Sequence, residues 1–293
     1  MSTEAPALRP SLLTKPVADV IFQGVALSVV CIALGVLLAL LIDVTADAAP
    51  WLNVGFLTAV TSENYPERAG IYPAITGSAC LMLLTAFISL PIGVGAAVFL
   101  EEYSDKNWFM RLIELNIANL AAVPSIIYGL LGLQVFVRYL SLGESLIAAA
   151  LTMGLLILPV IIISSREALI MVPRSIREGA LALGATKWQT VRTQVLPAAF
   201  PGILTGCILA FSRAIGETAP LITIGAFAFI TFSPDGLFSE FTTLPIQAYD
   251  WISRPQEVFQ GKAAAAIVVL LGVLLTMNAG AIYLRMRMQR RLS

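Results

Sequence analysis

From Ala69 to Leu100 the chain runs without a single charged side chain, and comparable apolar runs recur along its length. About 20 apolar residues in a row cover the hydrocarbon core of a bilayer as a helix. Only 12% of the 293 residues are charged and 58% are hydrophobic, whereas a soluble domain carries about 25% charge. The runs are long and continuous, not segments of about ten alternating residues, which argues against a transmembrane barrel. The pattern predicts an all-α polytopic membrane protein with six transmembrane helices, at about 19–42, 73–100, 112–137, 145–165, 198–229 and 263–284. The third and fifth are the least uniform, because charges fall at or inside their limits. Residues 1–16, with three prolines, read as a disordered cytoplasmic tail, leaving 17–293 as the transmembrane domain.

Orientation follows from the lysines and arginines between spans. With both ends cytoplasmic, thirteen lie inside (Arg9, Lys15, Lys106, Arg111, Arg166, Arg174, Arg177, Lys187, Arg192, Arg285, Arg287, Arg290, Arg291) and four outside (Arg68, Arg138, Arg254, Lys262). The reversed topology inverts this bias. Pro91, Pro124, Pro159 and Pro220 interrupt spans two to five. Each bends its helix and frees a carbonyl, which in lipid survives where neighbouring helices or cavity water satisfy it. Spans two to five are therefore candidates for a pathway, with ordinary kinks as the alternative. The two long outer connections, 43–72 and 230–262, either dock a partner or anchor the interface through Trp51 and Trp251.

Enzyme chemistry finds little support. There is no histidine, and Cys31, Cys80 and Cys207 sit singly in apolar runs with no CxxC pair. No catalytic residue or metal site is expected, and no nucleic-acid partner. No GxxxxGK[ST] nucleotide loop occurs, so the chain itself holds no ATP.

Two segments carry unusual information. The first, 164–197, is too polar to span and too helix-favouring to be a plain linker. Pro173 and Ser175 suit a helix start, and Ile176, Ala180 and Leu183 share a stripe. Gly184 suits a left-handed stop, and a second helical stretch runs from about Thr186 towards Pro197. The second lies in span five. There Gly202, Gly206, Ala210, Ala214 and Thr218 form a small-residue stripe for close helix contact, beside Arg213 and Glu217 on a neighbouring stripe near mid-depth. A charge at the bilayer centre costs about 2.5–3.5 kcal/mol on insertion scales, so the pair is either functional or a buried ion pair fixing register. Arginine is permanently cationic and its planar fork suits an oxyanion; Glu217 can hold that fork. Pro220 should disturb the helix here, and Thr218 can satisfy part of the released backbone.

Glu178-Gly179-Ala180, then Gly184, then Leu196-Pro197, resemble in order and spacing the EAA loop of ABC-importer permeases, with Gly179 in place of the first alanine and Gln194 in place of the usual isoleucine. The resemblance implies a cytoplasmic coupling loop (166–197) seated in a groove of an ATP-binding subunit. Small residues at 179, 180, 182 and 184 would allow close approach there, and Glu178 would supply charged contacts. A helix lying on anionic lipid through Arg174, Arg177, Lys187 and Arg192 is the alternative. Arg213 through Pro220 (RAIGETAP) and Pro124 through Gly129 (PSIIYG) are similar to segments of phosphate-specific ABC permeases, of the PstA type more than its PstC-type sister.

With the loop between them, the likeness covers about residues 70–285 and implies a type I, MetI-like importer fold. Arg213 and Glu217 become pathway residues, with Pro124 and Ser125 shaping the path. The implied partners are a PstC-like sister permease forming a heterodimer, two PstB-like ATP-binding subunits holding ATP and magnesium, a PstS-like extracytoplasmic phosphate-binding protein, inorganic phosphate and membrane lipid. The implied place is the bacterial cytoplasmic (inner) membrane. Another oxyanion such as sulfate or molybdate, a secondary anion transporter and a membrane scaffold remain alternatives at this stage.

Overall fold

The computed structural model describes residues 17–105, 107–226 and 229–292. The expected tail at 1–16, with Arg9 and Lys15, lies outside the described residues, as does Lys106. The chain divides into two units, meeting between Ala46 and Asp47. The first is carried by one helix, α1 (Val17–Ala48), in which every side chain from Asp19 to Leu40 is exposed. A helix that is apolar all round and unburied has lipid as its natural solvent.

The second unit is a helical bundle. It holds α2 (Val54–Thr58), α3 (Tyr72–Val98), α4 (Trp108–Ala121), α5 (Ser125–Gly132), α6 (Leu146–Ile170) and α7 (Arg174–Ala182). These are followed by α8 (Lys187–Thr190), α9 (Leu196–Ile215), α10 (Ala219–Ile224), α11 (Leu244–Ile252) and α12 (Glu257–Leu292). Wide turns at Phe99–Tyr103, Leu133–Tyr139 and Val191–Val195 prolong α3 and α5 and join α8 to α9. Among the described residues five helices are long and apolar enough to span a membrane, six if α4 and α5 count as one bent span.

The centre is α6, whose Met153, Ile157 and Ile161 are fully buried. It can be central because its neighbours approach closely. A Cβ on Gly93 of α3 would come within 2.6 Å of Ile161, and on Gly202 and Gly206 of α9 within 2.7 Å of Ala168 and 2.1 Å of Ser164. Without a hydrophobic drive between helices in lipid, such small-residue contacts supply the packing. The stripe through Gly202, Gly206, Ala210 and Ala214 is thus the α9 face turned to the bundle.

Three sequence expectations are corrected. The third span is no single helix: α4 and α5 meet at 101° across Ala122–Pro124. The fifth does not begin at 198 or run to 229. One helical stretch extends from Lys187 to Ile215 and then stops. The wide turn at Val191–Val195 lets the helix pass Pro197, which has no N–H and would crowd the carbonyl four residues back. Finally, Trp251 is no interfacial anchor. It is fully buried between Phe56 and Phe259, with ring centroids 6.0 and 6.2 Å away. The two long connections fold onto each other instead. Lys262 donates to the carbonyls of Glu67 and Ala69, and its ammonium sits 5.4 Å from the Trp51 ring. Arg254 bridges Glu63 and Asp250 at 2.6 and 3.0 Å. Burial opposes the Arg254 charge, yet these hydrogen bonds outweigh it and raise its pKa above the ordinary arginine value.

Candidate functional site

Two helix breaks lie against each other. At the first, α4 ends in tight turns, with the N–H of Val123 donating to Leu120 O, and Pro124 turns extended before α5 starts at Ser125. The Tyr128 hydroxyl reaches back across the bend and donates to the same Leu120 carbonyl at 2.8 Å. At the second, α9 stops at Ile215 because Pro220 cannot donate to Gly216 and disfavours helix just before it. α10 then runs only from Ala219 to Ile224 and closes on Gly225, whose φ of 95° is left-handed.

The breaks touch at Gly129. A Cβ there would meet Thr223 Oγ1 at 1.8 Å and Pro220 Cα at 2.7 Å. The glycine of the first motif is therefore the hole into which the proline of the second fits. Thr223 donates to the Pro220 carbonyl at 2.8 Å, so among the described residues it is Thr223 and not Thr218 whose hydroxyl serves the backbone at this turn. Thr218 contributes its carbonyl, which accepts from Leu221 and Ile222.

Arg213 occupies the last turn of α9 and Glu217 the break beyond it, so the pair marks a helix end and not the middle of a continuous span. Arg213 Nε stands 3.3 Å from Glu217 Oε1, with the arginine side chain 51% exposed and the glutamate 18%. Glu217 thus holds one edge of the guanidinium and leaves the rest open. Next to Arg213, the Ser212 hydroxyl donates to the Asn278 side-chain oxygen and ties α9 to α12. Pro124 and Ser125 stand at the first turn itself, and no hydrogen bond from Ser125 to the charged pair is present among the described residues.

The loop segment forms the expected bent pair of helices. α7 starts after Pro173 and ends at Gly184, whose φ is 84°. The N–H groups of Gly184 and Ala185 return to Leu181 O and Ala180 O, so the left-handed glycine closes the helix with both terminal bonds made. Thr186 then opens α8 with a reciprocal capping box through Gln189. Glu178, Gly179 and Gly184 are exposed and Ala180 is half-buried; nothing stands within 4 Å of a Cβ on Gly179. Leu183 is 91% exposed, and Leu181 and Trp188 are exposed beside it. Four of the candidate residues thus lie on or beside one uncovered ridge, far along the chain from Arg213. Sequence reasoning missed Tyr128, Thr223, Asn278 and the glutamates at 101 and 102, whose partners are fixed by how the breaks and helices pack.

A bundle of membrane-length helices, two breaks with a charged pair at one of them and a projecting two-helix loop fit a membrane transport subunit. A family model for the binding-protein-dependent transport system inner membrane component matches residues 89–289, and the chain belongs to that family. A probable ABC transporter permease, YqgH of Bacillus subtilis, is 35% identical over 65% of this chain and 64% of its own length. The phosphate transport system permease protein PstA 1 of Mycobacterium tuberculosis is 32% identical over 77% of this chain and 74% of its own. Among solved structures, a chain of the MetNI methionine ABC transporter superposes with a TM-score of 0.60 at 18% identity, covering 78% of this chain and 99% of that one. A chain of a bacterial alginate ABC transporter reaches 0.68 at 15% identity, covering 92% and 95%. These two establish the MetI-like fold.

Proposed function

We propose that this chain is a permease subunit of an ATP-driven importer carrying inorganic phosphate across the cytoplasmic membrane, with both termini in the cytoplasm. The observation that carries the reading is the seating of Pro220 and Thr223 on Gly129. It joins the two segments that resemble phosphate permeases into one structure beside Arg213. Relatives named as phosphate transport permeases support the substrate.

In this reading 17–293 is the permease domain and pairs with a sister permease. The exposed ridge of α7, with Glu178, Gly179, Ala180 and Gly184, docks an ATP-binding subunit. An extracytoplasmic binding protein delivers phosphate to the opposite end. Arg213 presents a free edge of its planar fork to the anion, while Glu217 holds its other edge. Pro124 and Ser125 set the angle of the neighbouring half-helix. ATP is bound and hydrolysed on the partner subunits, whose closure displaces α7.

The test is uptake of labelled phosphate in cells lacking the native copy, with assembly followed by co-purification. Arg213→Gln should assemble and lose at least about tenfold in uptake. Glu178→Lys should release the ATP-binding subunit. Normal phosphate uptake by both variants, or uptake abolished by excess sulfate, would sink the assignment.

A further inference from the structure

α7 presents most of its surface to solvent, yet one of its side chains is fully engaged. Arg177, in the first turn, donates through Nε and Nη2 to Glu102 Oε1 at 3.0 and 2.7 Å. Its Nη1 donates to the Val172 carbonyl at 2.7 Å, and Nη2 also donates to the Leu169 carbonyl at 2.8 Å. Leu169 lies in the last turn of α6, where its carbonyl also accepts from the N–H of Val172, and Val172 lies just beyond the helix. Glu102 lies in the wide turn that prolongs α3. One guanidinium therefore caps α6, grips the end of α3 and belongs to α7. Only arginine has the planar fork of donors for this; a lysine ammonium would act as a point charge.

The adjacent glutamate takes a different arginine. Arg166 of α6 pairs with Glu101 at 3.3 Å and with Glu114 of α4 at 2.8 Å. Glu101 and Glu102 thus distribute α3 between two arginines, one fixed within the bundle and one on the projecting loop. The Arg177–Glu102 pair is well shielded, at 19% and 9% side-chain exposure. It forms part of the wall of a cleft of about 420 Å³ that also takes in Arg174 and Glu178. Arg177 is committed to the protein and not to lipid, contrary to one reading of its sequence. Glu178, its neighbour, makes no ion pair among the described residues. The helix therefore has one residue turned inward to α3 and α6 and the next turned outward.

We propose that the Arg177–Glu102 contact is the latch that passes displacement of α7 to α3 and α6, with Arg177 a positioning residue for energy coupling. This rests on the reading of α7 as the docking helix for an ATP-binding subunit. A push on α7 reaches the carbonyl end of α6 and the carboxylate of α3 through one rigid group, so both helices move with the loop. Without the latch α7 can still dock, but its motion is taken up in the turn at Met171–Pro173.

The experiment uses the purified four-subunit-type complex in liposomes with the binding protein, scoring labelled inorganic phosphate moved per ATP hydrolysed. Glu102→Gln, Arg177→Met and the double variant are compared with wild type, with co-purification as the assembly check. Expected are assembled complexes that hydrolyse ATP and move about tenfold less phosphate per ATP. The double variant should be no worse than Arg177→Met alone, because the contact with Glu102 is already gone in that single. Glu102→Asp should recover part of the ratio. An assembled Glu102→Gln complex with the wild-type ratio overturns the proposal, as does a double variant whose loss multiplies those of the singles. Should Arg177→Met not assemble, the Gln and Asp variants at 102 decide alone. Failure of Glu102→Gln to assemble would make the contact a folding staple and also overturn the latch. Absence of ATP-driven phosphate uptake in wild type would instead overturn the importer reading itself.

Discussion

Pro91 and Pro159 lie inside helices that run on unbroken, whereas Pro124 and Pro220 stand where a helix stops and another begins. Burial does not separate the two kinds. Pro159 and Pro220 are buried, Pro91 and Pro124 exposed. What differs is the support on either side. The stretch around Pro91 is held along α6, with Gly93 against Ile161. The broken ends find each other instead: Tyr128 clamps the first bend and Gly129 receives Pro220 at the second. A proline removes one donor and bends the chain, but whether it divides a span depends on what the freed ends can pack against.

Substitutions can break that comparison, beginning with the shared contact. Gly129→Val would drive a branched side chain into the Pro220 backbone, where no flexible atom can yield. A cost of about 3 kcal/mol and loss of assembled, transporting complex are expected, read by co-purification and uptake. Pro220→Ala should let α9 run on through Gly216 and swing Glu217 with it. The complex should assemble while transport falls by about tenfold, measured as uptake per assembled complex. Tyr128→Phe removes one hydrogen bond across the bend and leaves Leu120 O to Val123 alone, costing about 1 kcal/mol, seen as a lowered melting midpoint of the detergent-purified complex. Pro91→Ala and Pro159→Ala should be smallest, shifting stability by less than about 1 kcal/mol in the same assay. A large transport defect in either would show that these prolines also divide their helices in some working state.

The local structure of the segment 164–197 was the best-read part of the chain. Pro173, Gly184 and Thr186 act locally, through a fixed φ, a left-handed turn and a side-chain cap, so their consequences can be foreseen within a few residues. The charged pair was legible as a pair, because residues four apart meet on a helix, but its place at a helix end was not. Residue counting put it near mid-depth of a span that ends at Ile215. Trp251 was misread for a related reason. An aromatic in a polar loop is equally compatible with a membrane interface and with a small core, and only the approach of Phe56 and Phe259 distinguishes them.

The sequence by itself determined the solvent of each segment and the local stops and starts. Apolar run length, charge placement and cap residues act over a few turns of chain, and together they specify a helical membrane subunit with a projecting loop. Only the tertiary structure decided which breaks meet, which arginine reaches which glutamate and which tryptophan is inside. Gly129 and Pro220, or Arg177 and Glu102, lie far apart in sequence. Their contacts depend on how α6 gathers α3 and α9 around it; the small-residue stripe of α9 announces a close contact but not its partner.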